Sequence, residues 1–511
     1  MTDEQPISRR AAREAAAPAS GRGTRPKPSK REPSMDAEGE KPRGTGAFFA
    51  KHPTGWLIGA IVVVFALLGT GAVFAGVSVG SAAAVLPSPT PTPEPPRDVP
   101  EGDLAASRLR TCSIAGLAAD PRLMALSGYV VRVDTQEVLF DRAGTTPART
   151  ASVLKLLTAA AALATVGPDY RIRTSVYPGS QAGSIVLVGR GDATLSRLPA
   201  GQESVYKGAP KLADLAAQVL ANYSGAPITN IVLDASYWST ADKWDPAWKR
   251  SEQTQGYHSE VTALQVDGDR ANPAAQDSPR STDPVGRAGQ YFLDALRAAD
   301  TEGEVAGNVT LSTGSAVNTS TVLGEVQSQP LSVIIPHMLL VSDNTMAEMI
   351  ARITSKESAL NGSAASLQQA IPSALSTIGI PATGITIKDG SGLSEFNAVP
   401  PATVTQLMIA VNNATAPNLD VILNGLPVAG QSGTLAGRFT GANAVARGHV
   451  FAKTGWIDTS YSLGGLVQAA DGTVFAFAFY AIGDGIQSNA RAALDTLTTG
   501  VFTCGDNLSN N

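Results

Sequence analysis

Charged side chains are scarce in this chain of 511 residues, at 16% against roughly 25% in ordinary globular proteins. The formal net charge is −5, and no basic face or nucleic-acid-binding signature accompanies it, so a nucleic-acid partner is not expected. Histidine is rarer still. The four that occur, His52, His258, His337 and His449, are far apart. Neither His/His nor Cys/Cys pairs stand at metal-ligand spacing, which argues against a metal hydrolase. No G-x-S-x-G elbow is evident, so a Ser-His-Asp triad has no support either. No cofactor is implied. Cysteine is limited to Cys112 and Cys504, near the two ends of the part able to fold. Domain termini are often close in space, and an oxidising compartment permits a bridge. A Cys112–Cys504 disulfide is therefore expected, with two free buried thiols as the alternative.

What is present begins with a polar segment. Residues 1–54 hold eleven Lys/Arg against seven Asp/Glu and are rich in proline, a composition that reads as disordered. Within residues 55–79, WLIGAIVVVFALLGTGAVFAGVSV is 24 residues without a charge, about 36 Å as a helix and enough to span a bilayer. Arg43 and Lys51 flank it on the N-terminal side, which keeps the tail cytoplasmic and places the rest outside the cell membrane. A cleaved signal peptide is the competing reading, since SAAA at 81–84 offers small residues, but the tail is far longer than an ordinary leader. The linker expected over 80–105 contains PSPTPTPEPP, which stays extended as polyproline II and spaces a domain from the membrane.

The remainder predicts a discontinuous catalytic domain. Residues 127–140 form two β-rich runs around a polar turn, a hairpin. A helix starting at Ser152 stops at Gly167-Pro168. Strands are expected over 449–457, 462–469 and 473–482, the last two joined by a turn at Asp471-Gly472. A closing helix is expected over 488–498. The first part of the domain covers 106–169 and the second 323–506, with a short tail at 507–511. Residues 170–322 carry several strand signals and one clear helix at 284–299, too much for a loop, so they form a β-rich inserted domain. The fold class is α+β: an antiparallel sheet built from both chain ends and flanked by helices.

Lys155 is the residue that does not belong. From 152 to 166 the sequence reads SVLKLLTAAAALATV, apolar on every face apart from the Thr residues and with no other charge. Such a helix is buried, and a buried ammonium is relieved by losing its proton. Ser152 lies one turn away on the same face. A hydroxyl beside a desolvated amine is an activated nucleophile. Deleting the amine should leave folding intact and cut acylation by orders of magnitude. Two further motifs follow, Ser342-Asp343-Asn344 between two apolar helical runs and Lys453-Thr454-Gly455 at a strand end. Alone, each is ordinary: a helix start, a helix cap, a strand bend. In this order, S-x-x-K, S-D-N and K-T-G are the signature of serine acyl-transferases that react with penicillin.

The chain resembles the class C low-molecular-mass penicillin-binding proteins, the D-alanyl-D-alanine carboxypeptidases/endopeptidases. Besides the trio, the resemblance rests on VLKLLTAAAAL after Ser152, VGRGDATL at 188, VTALQVD at 261, SDNTMAEM at 342, DGSGLS at 389 and LPVAGQSGTLAGR at 426. It covers residues 116–506, and it implies a β-lactamase/transpeptidase-like fold. It also implies attack by Ser152 on the bond between terminal D-Ala residues of peptidoglycan stem peptides, with Lys155 as base. Ser342 would relay a proton and Asn344 would orient Lys155 and the substrate. Lys453 and Thr454 would hold the substrate carboxylate, Gly455 and Trp456 would line the same substrate-binding edge of the cleft, and the backbone N–H groups of Ser152 and Trp456 would receive the oxyanion. β-Lactams would be covalent inhibitors. Trp456 departs from the family, which commonly has Ser or Thr there. The alternatives are a β-lactamase and a penicillin-binding membrane sensor.

Three other patterns have plainer explanations. Glu357-Ser-Ala-Leu360-Asn361 reproduces E-x-x-L-N of class A β-lactamases but lies 15 residues after Ser342, too close for the deacylating glutamate, so a loop is expected. Gly189-Arg190-Gly191-Asp192 lacks a P-loop lysine and reads as a turn. Asp389-Gly-Ser-Gly reads as a structural turn, to which the resemblance adds a part in shaping the cleft.

Overall fold

The structure is a computed structural model that describes residues 109–317 and 319–509. The tail, the apolar span and the Pro-rich linker expected over 1–54, 55–79 and 80–105 lie outside the described residues. Among the described residues, no helix is long and apolar enough to cross a membrane.

In chain order the principal elements are β1 (Ala125–Arg132), β2 (Val138–Arg142), α1 (Lys155–Val166), β3 (Arg173–Pro178), β4 (Ser184–Gly189), α2 (Leu212–Asn222), β5 (Ile228–Asp234) and α3 (Pro284–Ala299). They continue as β6 (Val305–Thr313), β7 (Gly324–Gln327), α4 (Leu331–Val341), α5 (Asn344–Glu357), α6 (Leu367–Thr377) and α7 (Pro401–Asn413). The chain closes with β8 (Val450–Ile457), β9 (Ser460–Gln468), β10 (Val474–Ile482) and α8 (Ala490–Cys504).

The first sheet runs β2-β1-β10-β9-β8, antiparallel throughout, and joins the two chain ends as expected. Its central strand shows why the sheet is covered on both faces. VFAFAFYAI alternates with period two. Phe475, Phe477 and Phe479 enter the core shared with α8, while Ala476, Ala478 and Tyr480 enter the core that contains α1 and α7. Small side chains on that second face let α7 approach the strand closely. Each buried Phe contributes about 1.5–3 kcal/mol. Helix α1 is buried from Lys155 to Leu163 and ends at Gly167 with φ +80°, a conformation glycine adopts without penalty.

The second sheet runs β6-β5-β4-β3-β7 and is mixed. β3 pairs antiparallel with β4 and β7, whereas β4–β5 and β5–β6 are parallel. The expectation of a β-rich insertion with one helix is therefore corrected. Parallel neighbours require crossovers, and α2 and α3 supply them while packing together on the strands. The α2 sequence LADLAAQVLAN buries Leu212, Leu215, Ala216 and Val219 on one face, a helical period present in the sequence. The sheet also ends at Gln327, past the expected boundary of 322, because Gly324–Gln327 completes the edge beside β3.

Cys112 and Cys504 are disulfide-bonded, with Cα atoms 5.4 Å apart. The tail expected from 507 is packed as far as 509. Leu508 is fully buried, and the Ser509 amide donates to the Cys112 carbonyl.

Candidate active site

Three segments far apart in sequence meet at the end of the first sheet. The first is a 3-10 turn, Ala151–Leu154, that leads into α1. Its first residue, Ala151, sits at φ +45°, a strained conformation for a non-glycine residue. The turn is wedged between two backbones. At Gly392 a Cβ would fall 2.0 Å from the Ala151 carbonyl oxygen, and at Gly455 one would fall 2.9 Å from the Ser152 nitrogen. Only glycine permits both approaches.

The second segment is the corner between α4 and α5. Ser342 closes α4 in the left-handed region at φ +61°. Asp343 then caps α5, its Oδ1 accepting from the Met346 amide at 3.0 Å. This corner turns Ser342 and Asn344 toward the first segment. The third is the KTG stretch of β8, on the rim strand of the sheet, where Gly455 pairs with Ser462 and Trp456 with Tyr461.

Side-chain geometry ties the three together. Lys155 Nζ is fully buried and lies 3.0 Å from Ser152 Oγ, 2.7 Å from Asn344 Oδ1 and 2.6 Å from the Ser391 carbonyl oxygen. Asn344 is itself held by donating through Nδ2 to the Tyr257 carbonyl at 3.2 Å. Lys453 Nζ, also buried, donates to Ser342 Oγ at 2.8 Å and to the Thr454 carbonyl at 2.7 Å. Thr454 Oγ1 shares a 2.7 Å hydrogen bond with Thr434 Oγ1. The Trp456 ring stacks on Tyr461 and packs against the α8-side core, so the family departure at this position acts through a ring turned into that core.

Several partners were not singled out from the sequence. The DGSGLS turn does more than bend the chain, since its Ser391 carbonyl faces Lys155. Asp389 organises that loop by accepting from Trp248 Nε1, the Gly392 and Ser394 amides and Asn397 Nδ2. Burial pushes its carboxyl above the usual range. Thr434, within the SGTL of the phrase at 426, had no separate signal. Asp343 is gripped by the insertion: Arg270 Nη2 donates to it at 2.8 Å and Tyr206 Oη at 2.9 Å. Burial alone would raise its pKa, but the Arg270 and Arg280 guanidinium groups hold it well below the usual carboxylate range. Glu357 closes α5 and accepts from Tyr170 and Tyr237, about 20 Å along the helix from Asn344, so the E-x-x-L-N pattern is remote from the site. Gly191, at φ +97°, lies in the expected turn.

Comparison with known proteins gives this geometry a family. The profile of the D-Ala-D-Ala carboxypeptidase 3 (S13) family matches residues 111–281 and 269–501. The chain belongs to that family. The matched segments contain Ser152, Ser342 and Lys453, and the class C resemblance read from the motifs is borne out. A carboxypeptidase DacB from Mycolicibacterium smegmatis is 34% identical over 458 residues, covering 88% of this chain and 96% of the relative. A carboxypeptidase from Mycobacterium tuberculosis is 36% identical over 417 residues, covering 80% and 87%. Among solved structures, penicillin-binding protein 4 from Haemophilus influenzae aligns with TM-score 0.62 at 20% identity, over 76% of this chain and 99% of that one. This S13 chain therefore shares that protein's fold.

Proposed function

We propose that this S13-family chain is a serine DD-peptidase that cleaves the terminal D-Ala-D-Ala bond, or a D-Ala-X cross-link, of peptidoglycan stem peptides. The observation that carries it is the Lys155 amine held by three oxygens, one of them the nucleophile's. Asn344 Oδ1 and the Ser391 carbonyl can only accept, so they take the two N–H bonds of a neutral amine. Its lone pair then faces the Ser152 hydroxyl, ready to take the proton as Oγ attacks the substrate carbonyl. The resulting ammonium donates to all three oxygens without rearrangement.

The amides of Ser152 and Trp456 receive the oxyanion, which the tight approach of Gly455 to the Ser152 nitrogen supports. Lys453, Thr454 and Thr434 provide an ammonium and two hydroxyls for the substrate's terminal carboxylate. The proton taken by Lys155 returns to the departing amine through the Ser342 hydroxyl, which is in contact with Lys453; Lys155 is then neutral again, and water clears the acyl-enzyme. β-Lactams acylate the same serine; the H. influenzae protein has been solved with a β-lactam bound. The chain acts outside the cell membrane, anchored by one N-terminal helix with a cytoplasmic tail and held off by the Pro-rich linker. The test is D-Ala release from a stem pentapeptide by the full chain. D-Ala release that disappears in Ser152→Ala supports the proposal, and wild-type protein that neither frees D-Ala from the pentapeptide nor splits a cross-linked dimer into its two stem peptides refutes it.

A further inference from the structure

Helix α5 reaches Lys155 by two routes. Asn344 touches it directly. Glu348, four residues on and so on the same face of the helix, reaches it through a loop. Its Oε1 accepts from the Gly390 amide at 3.0 Å and the Ser391 amide at 2.7 Å, and its Oε2 accepts from Gly390 at 3.1 Å. The carbonyls of the same two residues point to α1: Thr158 Oγ1 donates to Gly390 at 2.7 Å, and Lys155 Nζ lies 2.6 Å from that of Ser391. All four polar backbone groups of this pair are thus bound by α5 or α1.

The loop also has no room to move independently. A Cβ at Gly390 would fall 2.4 Å from the Ala351 Cβ, so its backbone lies flat on α5. On its other side, Gly392 abuts the Ala151 carbonyl of the nucleophile turn.

We propose that Glu348 is a positioning residue for the reaction. Its side chain fixes the Gly390 and Ser391 backbone so that the Ser391 carbonyl holds the Lys155 amine on Ser152. This rests on the DD-peptidase reading above. Burial and the nearby Asp389 carboxylate push the Glu348 carboxyl up to about 7, a cost that a residue present only to fill space would not carry.

The test is the acylation rate constant with benzylpenicillin, measured on the full chain for Glu348→Gln, Glu348→Asp and Glu348→Leu. Gln keeps an oxygen at the Oε1 position, which serves both amides, so its rate is expected within about threefold of wild type. Asp withdraws the acceptor by about 1.5 Å. Misplacement on that scale costs about 10²-fold, so Asp is expected to be slower than Gln despite keeping the carboxyl group. Leu, similar in volume and without an acceptor, is expected to be slowest, with noncovalent penicillin affinity little changed. A folded Leu variant that acylates at the wild-type rate overturns the inference. If Leu does not fold, the order of the other two decides: Asp equal to or faster than Gln overturns it. Wild-type protein that is not acylated defeats the DD-peptidase reading instead.

Discussion

Replacing Arg270 by methionine removes the centre of the buried network that fastens the segment between β4 and α3 to the S-D-N corner. Arg270 and Asp343 are essentially without solvent exposure, at 0% and 1% for their side chains, and are 2.8 Å apart. The same guanidinium donates to Tyr206 Oη at 2.6 Å and to the Asp267 and Gln276 carbonyls at 3.2 Å. Without it, Asp343 keeps its Tyr206, Gln276 and Met346 partners but loses its direct ion pair, with the more distant Arg280 guanidinium left as counter-charge. Breaking such a pair from one side costs about 3–5 kcal/mol. At about 2.1 cal/mol/K per residue, the roughly 400 described residues have an unfolding entropy near 0.84 kcal/mol/K, so the melting temperature should fall by about 4–6 °C. The double variant Arg270→Met/Asp343→Asn removes both charges and should recover at least half of the loss. Because Asp343 lies between Ser342 and Asn344, the single variant should also slow penicillin acylation below its own melting point. A melting temperature within 1 °C of wild type, or a double variant no better than the single, would refute the coupling between insertion and site.

Lys155→Ala should lower the penicillin acylation rate by about 10²–10⁴-fold, the usual contribution of a general base; near-normal acylation would contradict its role. The structure revises the expectation that this change merely relieves a buried cation. It also strands Asn344 Oδ1 and the Ser391 carbonyl, at about 1–3 kcal/mol for each unsatisfied group, so a modest fall in melting temperature should accompany it. Thr434→Val removes the partner of Thr454 Oγ1, and KM for D-Ala release should rise about fivefold with little change in kcat, as for one lost hydrogen bond; an unchanged KM would exclude Thr434 from the carboxylate site. Burial raises Asp192 to about 6 and, with the Asp389 carboxylate, Glu348 to about 7. Their folded forms then hold protons that the unfolded chain has released, so stability should fall as pH rises from about 4.5 through about 7. His337, lowered by burial, contributes the opposite slope equally in wild type and Glu348→Gln. Melting curves should show a smaller drop between about pH 5 and pH 7.5 in that variant, and identical slopes would contradict the shift.

The parts of the site legible in the sequence were those whose chemistry violates local composition. A lysine in an all-apolar helix and a serine one turn before it needed no tertiary information. Ser342 and Lys453 gained meaning only from their order with that pair. The sheet could be read because its strands are β-rich runs joined by turn signals such as Asp471-Gly472, and α3 because its apolar face repeats cleanly. Other features were hidden because they act through the backbone or through contacts between distant segments. Ser391 contributes a carbonyl, which no side-chain pattern announces. Glu348 is one acid in an otherwise unremarkable helix until the 389–394 loop folds onto it. Arg270 and Tyr206 find Asp343 across 73 and 137 residues. The boundary at 322 failed because the four-residue β7 is defined by pairing with β3, not by its own sequence.

The most direct measurement is mass spectrometry of peptides from the full chain after brief reaction with benzylpenicillin. One penicilloyl adduct on the peptide that contains Ser152 is the predicted result. An adduct on any other peptide, with Ser152 unmodified, would contradict the account.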